Sequence, residues 1–184
     1  MLSKNIKFKN FNFKLNNKII KKDLKKLLAE DNEVIKSLKP NYKYRYSKKL
    51  LNKNKKEKDL TIIGMGGSIL GTQAIHDFLK YKIKKKVFFY DNLESNLKDN
   101  KKSTTIIVSK SGNTLETIAN TNILIKKNQK NIFITEQKNS YLRSIALKIK
   151  AEIIDHNNFI GGRYSVLSEV GMLPAELMGL SESN

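Results

Sequence analysis

A chain of 184 residues with 39% hydrophobic side chains is long enough to bury one substantial core, which excludes a short peptide and a disordered tail. The formal net charge of +19 would suit a polyanion through counterion release, but the excess is almost all lysine, set among abundant asparagine and outside any recognised module, so no specific nucleic-acid partner is expected. The lack of cysteine excludes disulfides, thiolate metal sites and a Cys nucleophile, and with only His76 and His156, far apart in sequence, no metal is expected.

The N-terminus has no continuous apolar stretch of the kind a secretory signal needs, and no run approaches the ~18 apolar residues of a membrane span. A cytoplasmic location with no membrane partner is expected. Ile6 and Phe8, then Phe11, Phe13 and Leu15, recur at period two and predict extended structure with a change of face near Asn10. Across residues 18–38, Ile20, Leu24, Leu27, Leu28, Ile35 and Leu38 recur every three or four positions, which predicts one or two helices with one apolar stripe, ended by Pro40. Residues 42–58 are rich in Lys, Asn and Tyr and read as a solvated linker or charged helix. Residues 1–58 are therefore expected to form an extended and helical N-terminal segment with a linker, and residues 59–184 an α/β domain.

From Leu60 onward, continuous apolar runs at 60–64, 87–90, 104–109, 131–135 and 151–154 alternate with helical spacing at 73–81, 114–127, 140–150 and 165–180. Strands buried on both faces read as unbroken apolar runs. The alternation predicts an α/β fold, a doubly wound, mostly parallel five-stranded sheet flanked by helices, with ligands outside the carboxyl ends of the strands.

Three segments at such ends carry chemistry. Residues 64–71 read GMGGSILG; Gly64 and Gly66 meet two places of a dinucleotide fingerprint, but the third is Ile69, and no Gly-Lys-Ser or Gly-Lys-Thr of a P-loop follows. Gly67 allows close backbone approach and Ser68 offers a hydroxyl, which suits a small polar ligand; a tight turn with Ser68 capping the next helix is the local alternative. Residues 109–117 read SKSGNTLET, placing the hydroxyls of Ser109, Ser111 and Thr114 and the charge of Lys110 at a helix start, the set a phosphate monoester needs. Here the local alternative is Asn113 as cap with Glu116 three residues on. In residues 161–171, GGRYSVLSEVG, the permanently charged fork of Arg163 can hold substrate oxygens and stabilise a developing anion, or form a surface ion pair.

Taken in order, these motifs resemble the sugar isomerase (SIS) superfamily of phosphosugar-binding domains, and within it the glucose-6-phosphate isomerase family most closely. The likeness rests on Gly66-Gly67-Ser68, on Ser109-Lys110-Ser111 with Glu116-Thr117, and on Gly161 to Val166, and covers roughly residues 60–180. It implies interconversion of glucose 6-phosphate and fructose 6-phosphate through an enediol, with Gly67 and Ser68 contacting the sugar. Ser109, Lys110, Ser111 and Thr114 would cradle the phosphate, and Arg163 would act as a catalytic residue beside the reacting carbons. No metal or organic cofactor is implied, and the full-length protein is expected to be a homodimer. Ser111, Gly112, Asn113 and Leu115 depart from the longer enzymes and are similar to the turn of phosphoglucose/phosphomannose isomerases and of sugar-phosphate-sensing regulators, so glucose or mannose preference, and a non-catalytic sensor, stay open. The resemblance puts the proton-transferring Glu and the ring-opening His in a second domain beyond residue 184, so an inactive N-terminal piece is expected. Glu116, Glu169 and Glu176 are expected to serve capping or surface roles.

Overall fold

The computed structural model describes residues 17–39, 41–93, 103–126 and 128–181; the extended segment expected at residues 6–15, and Pro40, lie outside these. The chain enters through helices α1 (Asn17–Ala29) and α2 (Glu33–Ser37). The helical spacing is real, but Ile20, Leu24, Leu27 and Leu28 of α1 all stay exposed, because periodicity sets the local conformation and not what covers the stripe. Helix α3 (Lys48–Asn54) starts at Ser47, whose hydroxyl accepts from Leu50 N at 3.2 Å. Tyr46, Leu50 and Leu51 pack on the core and Asn54 is buried, so less of residues 42–58 is solvated than their composition predicts.

Five strands follow, β1 (Asp59–Gly64), β2 (Lys86–Tyr90), β3 (Ser103–Val108), β4 (Lys130–Glu136) and β5 (Glu152–His156). All pair in parallel in the order β2-β1-β3-β4-β5, as the continuous apolar runs require. Successive side chains serve opposite faces. Leu60, Ile62, Ile106, Val108, Ile132, Ile134 and Ile154 meet one layer, built from α3, Ile69 and helix α7 (Glu169–Leu177) with its Val170, Leu173 and Leu177. Ile63, Ile107 and Phe133 meet the other, where helices α5 (Leu115–Leu124) and α6 (Tyr141–Lys148) supply Leu124, Leu142 and Ala146. Helix α4 (Leu70–Leu79) follows β1.

The helix expected over residues 165–180 is split. A 3-10 stretch, Gly162–Leu167, stops at Ser168, whose extended backbone and hydroxyl, accepting from Val170 N, start α7 afresh. Inside α7, Pro174 has no N–H to offer the Val170 carbonyl; the hydroxyl of Thr72, from α4, donates to that oxygen at 3.1 Å instead.

The strand order reverses at β1, with β2 on one side and β3 on the other. The connections leaving β1 and β3 therefore run to opposite faces and leave a crevice between them, the usual ligand position in doubly wound sheets. Gly64 is the register partner of Val108, so the segments 64–71 and 109–117 leave the sheet side by side.

Candidate functional site

Beyond β1 the chain makes a 3-10 turn, Gly66–Ser68, before α4. No side chain caps α4, so the capping role open to Ser68 is not taken. Its half-buried hydroxyl has no hydrogen-bond partner among the described residues and is available at the crevice.

The second loop is braced from beneath. Ser109 N donates to Ile134 O, and Glu136 N to Lys110 O, each at 3.1 Å, which ties the loop to β4. The buried Ser109 hydroxyl accepts from Gly112 N at 3.1 Å and lies 3.0 Å from Thr114 Oγ1, and Ser111 Oγ accepts from Asn113 N at 3.2 Å. Gly112 turns with φ +68, and a Cβ there would fall 2.1 Å from Ser140 Oγ, so both the backbone angle and the space demand glycine. The residue that caps α5 is Thr114, not Asn113, and no side chain accepts from the first helical N–H groups. Asn113 Oδ1 instead accepts from Tyr141 N at 2.9 Å, because the approach of α6 offers it a donor across the loop. The unpaired N–H groups at the start of α5 and the positive end of its dipole thus stand beside three hydroxyls.

Lys110 takes a different position from its neighbours. Its ammonium donates to the Asn158 carbonyl and lies 3.5 Å from Glu136 Oε1, which links the second loop to the chain leaving β5.

That chain carries the third motif back across to the first. Gly162 packs so tightly on Gly67 that a Cβ on Gly67 would fall 2.4 Å from the Gly162 carbonyl carbon. The buried Ser165 hydroxyl donates to Gly67 O at 3.1 Å and Gly162 O at 2.8 Å, pinning the two turns together. Arg163, on the second of these turns, is exposed and forms no ion pair among the described residues, so the surface salt bridge is not what holds it. Main-chain packing joins the Ser68 and Arg163 segments, and strand adjacency joins the Ser68 and Ser109–Thr114 segments.

Composition concealed a buried polar cluster behind the third loop. Glu169, at the first position of α7, is fully buried; Tyr42 Oη donates to its carboxylate at 3.1 Å, Arg45 N donates at 3.0 Å, and His156 Nδ1 lies 3.8 Å away. Burial pushes this carboxyl up, but the His156 ring, the N–H groups of Glu169 itself and of Arg45, and the Tyr42 hydroxyl more than offset it and hold it below the ordinary value. Burial and the facing Glu169 charge push the Tyr42 hydroxyl up to about 12. Glu176 accepts from Tyr46 Oη at 2.7 Å. The period-two spacing of Tyr42, Tyr44 and Tyr46 was the signal in the sequence: an extended segment with one aromatic face, in which Tyr44 and Tyr46 stack at 5.2 Å. Among the described residues no group of His, Asp and Glu side chains could hold a metal, and no helix is long and apolar enough to cross a membrane.

A family model described as Phosphoglucose isomerase matches residues 12–182. The glucose-6-phosphate isomerase of Acholeplasma laidlawii is 35% identical over 155 residues, covering 72% of this chain and 36% of the relative. That of Methanocaldococcus jannaschii is 35% identical over 139 residues, covering 68% and 34%. The chain thus spans about a third of the length of the curated relatives it matches. Among solved structures, a hypothetical protein from Thermus thermophilus superposes with a TM-score of 0.65 at 26% identity, over 72% of this chain and 36% of that one. A protein from Escherichia coli shares the fold, with a TM-score of 0.56 at 17% identity over 92% of this chain and 96% of that one. With three motifs in order on the expected sheet and a family match across nearly its whole length, the chain belongs to the phosphoglucose isomerase family.

Proposed function

We propose that the crevice between β1 and β3 binds a sugar phosphate, and that the chain serves an aldose–ketose isomerase acting on glucose 6-phosphate and fructose 6-phosphate. The observation that carries this reading is the convergence at one switch point of an uncapped helix start ringed by hydroxyls, a glycine turn with a free Ser68 hydroxyl, and an unpaired Arg163 on the turn packed against it. The dianionic phosphate fits the α5 terminus, where Ser109, Ser111, Thr114 and main-chain N–H groups supply short hydrogen bonds. Lys110 would add its charge on leaving the Asn158 carbonyl. Gly67 and Ser68 would contact the sugar, and Arg163 would stabilise the oxyanion that develops as a proton passes between adjacent carbons. Glu169 and Glu176 each accept from a tyrosine hydroxyl, and the family resemblance is what assigns the proton-transferring carboxylate to a second domain.

Calorimetric titration of the purified 184-residue chain tests this. Glucose 6-phosphate should bind weakly and glucose not at all. Thr114→Val and Ser109→Ala should each weaken binding roughly tenfold to a hundredfold, the worth of about one hydrogen bond to a charged group. Gly67→Ala, which must push the Arg163 turn away, should abolish it. Equal binding by all three variants would refute the site, and measurable isomerase turnover by this chain would refute the assignment of the proton-transferring group.

A further inference from the structure

We propose that a cavity of about 360 Å³ between the carboxyl ends of β4 and β5 and the segment leading into α3 is a second binding site, for a small hydroxylated molecule bearing a carboxylate or phosphate. It is lined by Arg45, Glu136, Lys138, His156, Asn157 and Asn158. No sequence motif marks it, and it does not rest on the sugar-phosphate reading of the β1–β3 crevice.

Charge pairing decides the sign of the ligand. Glu136 is offset by Lys138 at 2.7 Å and by Lys110 at 3.5 Å, and Asp155, also in the wall, by Arg143 at 2.7 Å. Arg45 has no carboxylate partner among the described residues. Arg45 is therefore the charged residue of the wall that has no carboxylate partner, and the parallel donors of its planar guanidinium match a carboxylate or phosphate edge. The placement of Arg45 is fixed by its backbone, because the fully buried Glu169 accepts its main-chain N–H at 3.0 Å. The molecule thus spends a buried carboxylate on anchoring a residue whose own side chain is left free to face the cavity.

The wall also holds buried polar groups in place. His156, with 2% of its side chain exposed, donates from Nε2 to Ile160 O at 3.2 Å, while its Nδ1 has no hydrogen-bond partner and lies 3.8 Å from Glu169, beyond direct bonding. Asn157, 8% exposed, gives its amide to Tyr42 Oη at 2.9 Å. Asn158 is fixed through its carbonyl by the Lys110 ammonium. These amides suit ligand hydroxyls.

Backbone amide NMR shifts of the intact chain, titrated separately with sodium gluconate and with inorganic phosphate, test the site. At least one anion should shift the amides of Arg45, Asn157 and Asn158 in a saturable way; gluconate alone doing so identifies a sugar acid, phosphate alone a phosphate ester. Arg45→Gln should weaken that binding at least about tenfold, the scale of one charge-assisted pair, with an unchanged thermal midpoint because the main-chain bond to Glu169 remains. Thr114→Val should leave it intact. Shifts confined to residues 109–114, no shift with either anion, or equal affinity in Arg45→Gln would overturn the proposal, and the first of these would leave the sugar-phosphate reading standing.

Discussion

Glu169 and Tyr42 stand 127 residues apart in the chain, and their hydrogen bond fixes how stability responds to pH at both ends of the scale. The Glu169 carboxyl is held below its ordinary value of 4.5, so the folded state binds its proton more weakly than the unfolded chain does. Its stabilising contribution is present above about pH 4.5 and is lost as pH falls through the lower folded value. Tyr42 has the opposite sign: raised from 10.0 to about 12, its contribution is present below pH 10 and is lost as pH rises toward 12. Thermal midpoints measured across pH should fall on both flanks, with Glu169→Gln flattening the acid flank and Tyr42→Phe the alkaline one. At neutral pH, Glu169→Gln should cost about 1–3 kcal/mol, because its donors lose a charged acceptor. Unchanged flanks in the two variants would refute the assignment. The period-two tyrosines mark an extended aromatic segment, but nothing in the local sequence says that Tyr42 pairs with Glu169, since a glutamate at a helix start is ordinary on its own.

Individual elements show where local chemistry suffices and where it is overridden. The five strands were legible because neighbours such as Ile62 and Ile63, Ile106 and Ile107, or Ile132 and Phe133 are apolar on both sheet faces, and only a buried parallel strand needs that. Element ends were less legible. Asn113 has the chemistry of a cap, but the arrival of Tyr141 N gave its side chain a different partner and left Thr114 at the boundary. The break at Ser168 likewise depends on the 3-10 stretch packing against Gly67. Pro174 is tolerated inside α7 because Thr72 satisfies the carbonyl that the proline cannot. Thr72→Val should therefore cost about 1–3 kcal/mol in urea denaturation. That cost should shrink in a Pro174→Ala background, where a main-chain N–H becomes available to Val170 O. Equal costs in the two backgrounds would show that the hydroxyl does not serve this carbonyl.

Across the whole molecule, the net charge of +19 has consequences that no single pair controls. Self-repulsion opposes compaction, and a positive field attracts anions to any site. Raising sodium chloride from about 20 mM to about 500 mM shortens the screening length severalfold. The thermal midpoint of the unliganded chain should rise and the affinity for glucose 6-phosphate should fall. A midpoint that drops with salt would mean that favourable ion pairs, and not repulsion, dominate. By itself the sequence determined the parallel α/β architecture, the glycine and hydroxyl character of the two β1 and β3 loops, and the family, because these depend on residue types at fixed short spacings. Only the tertiary structure decided that the Arg163 turn packs on Gly67, that Lys110 reaches Asn158, and that Tyr42 and Arg45 close on Glu169. Each joins residues far apart in the chain, and such contacts follow from where packed layers bring separate segments together, which short-range periodicity does not encode.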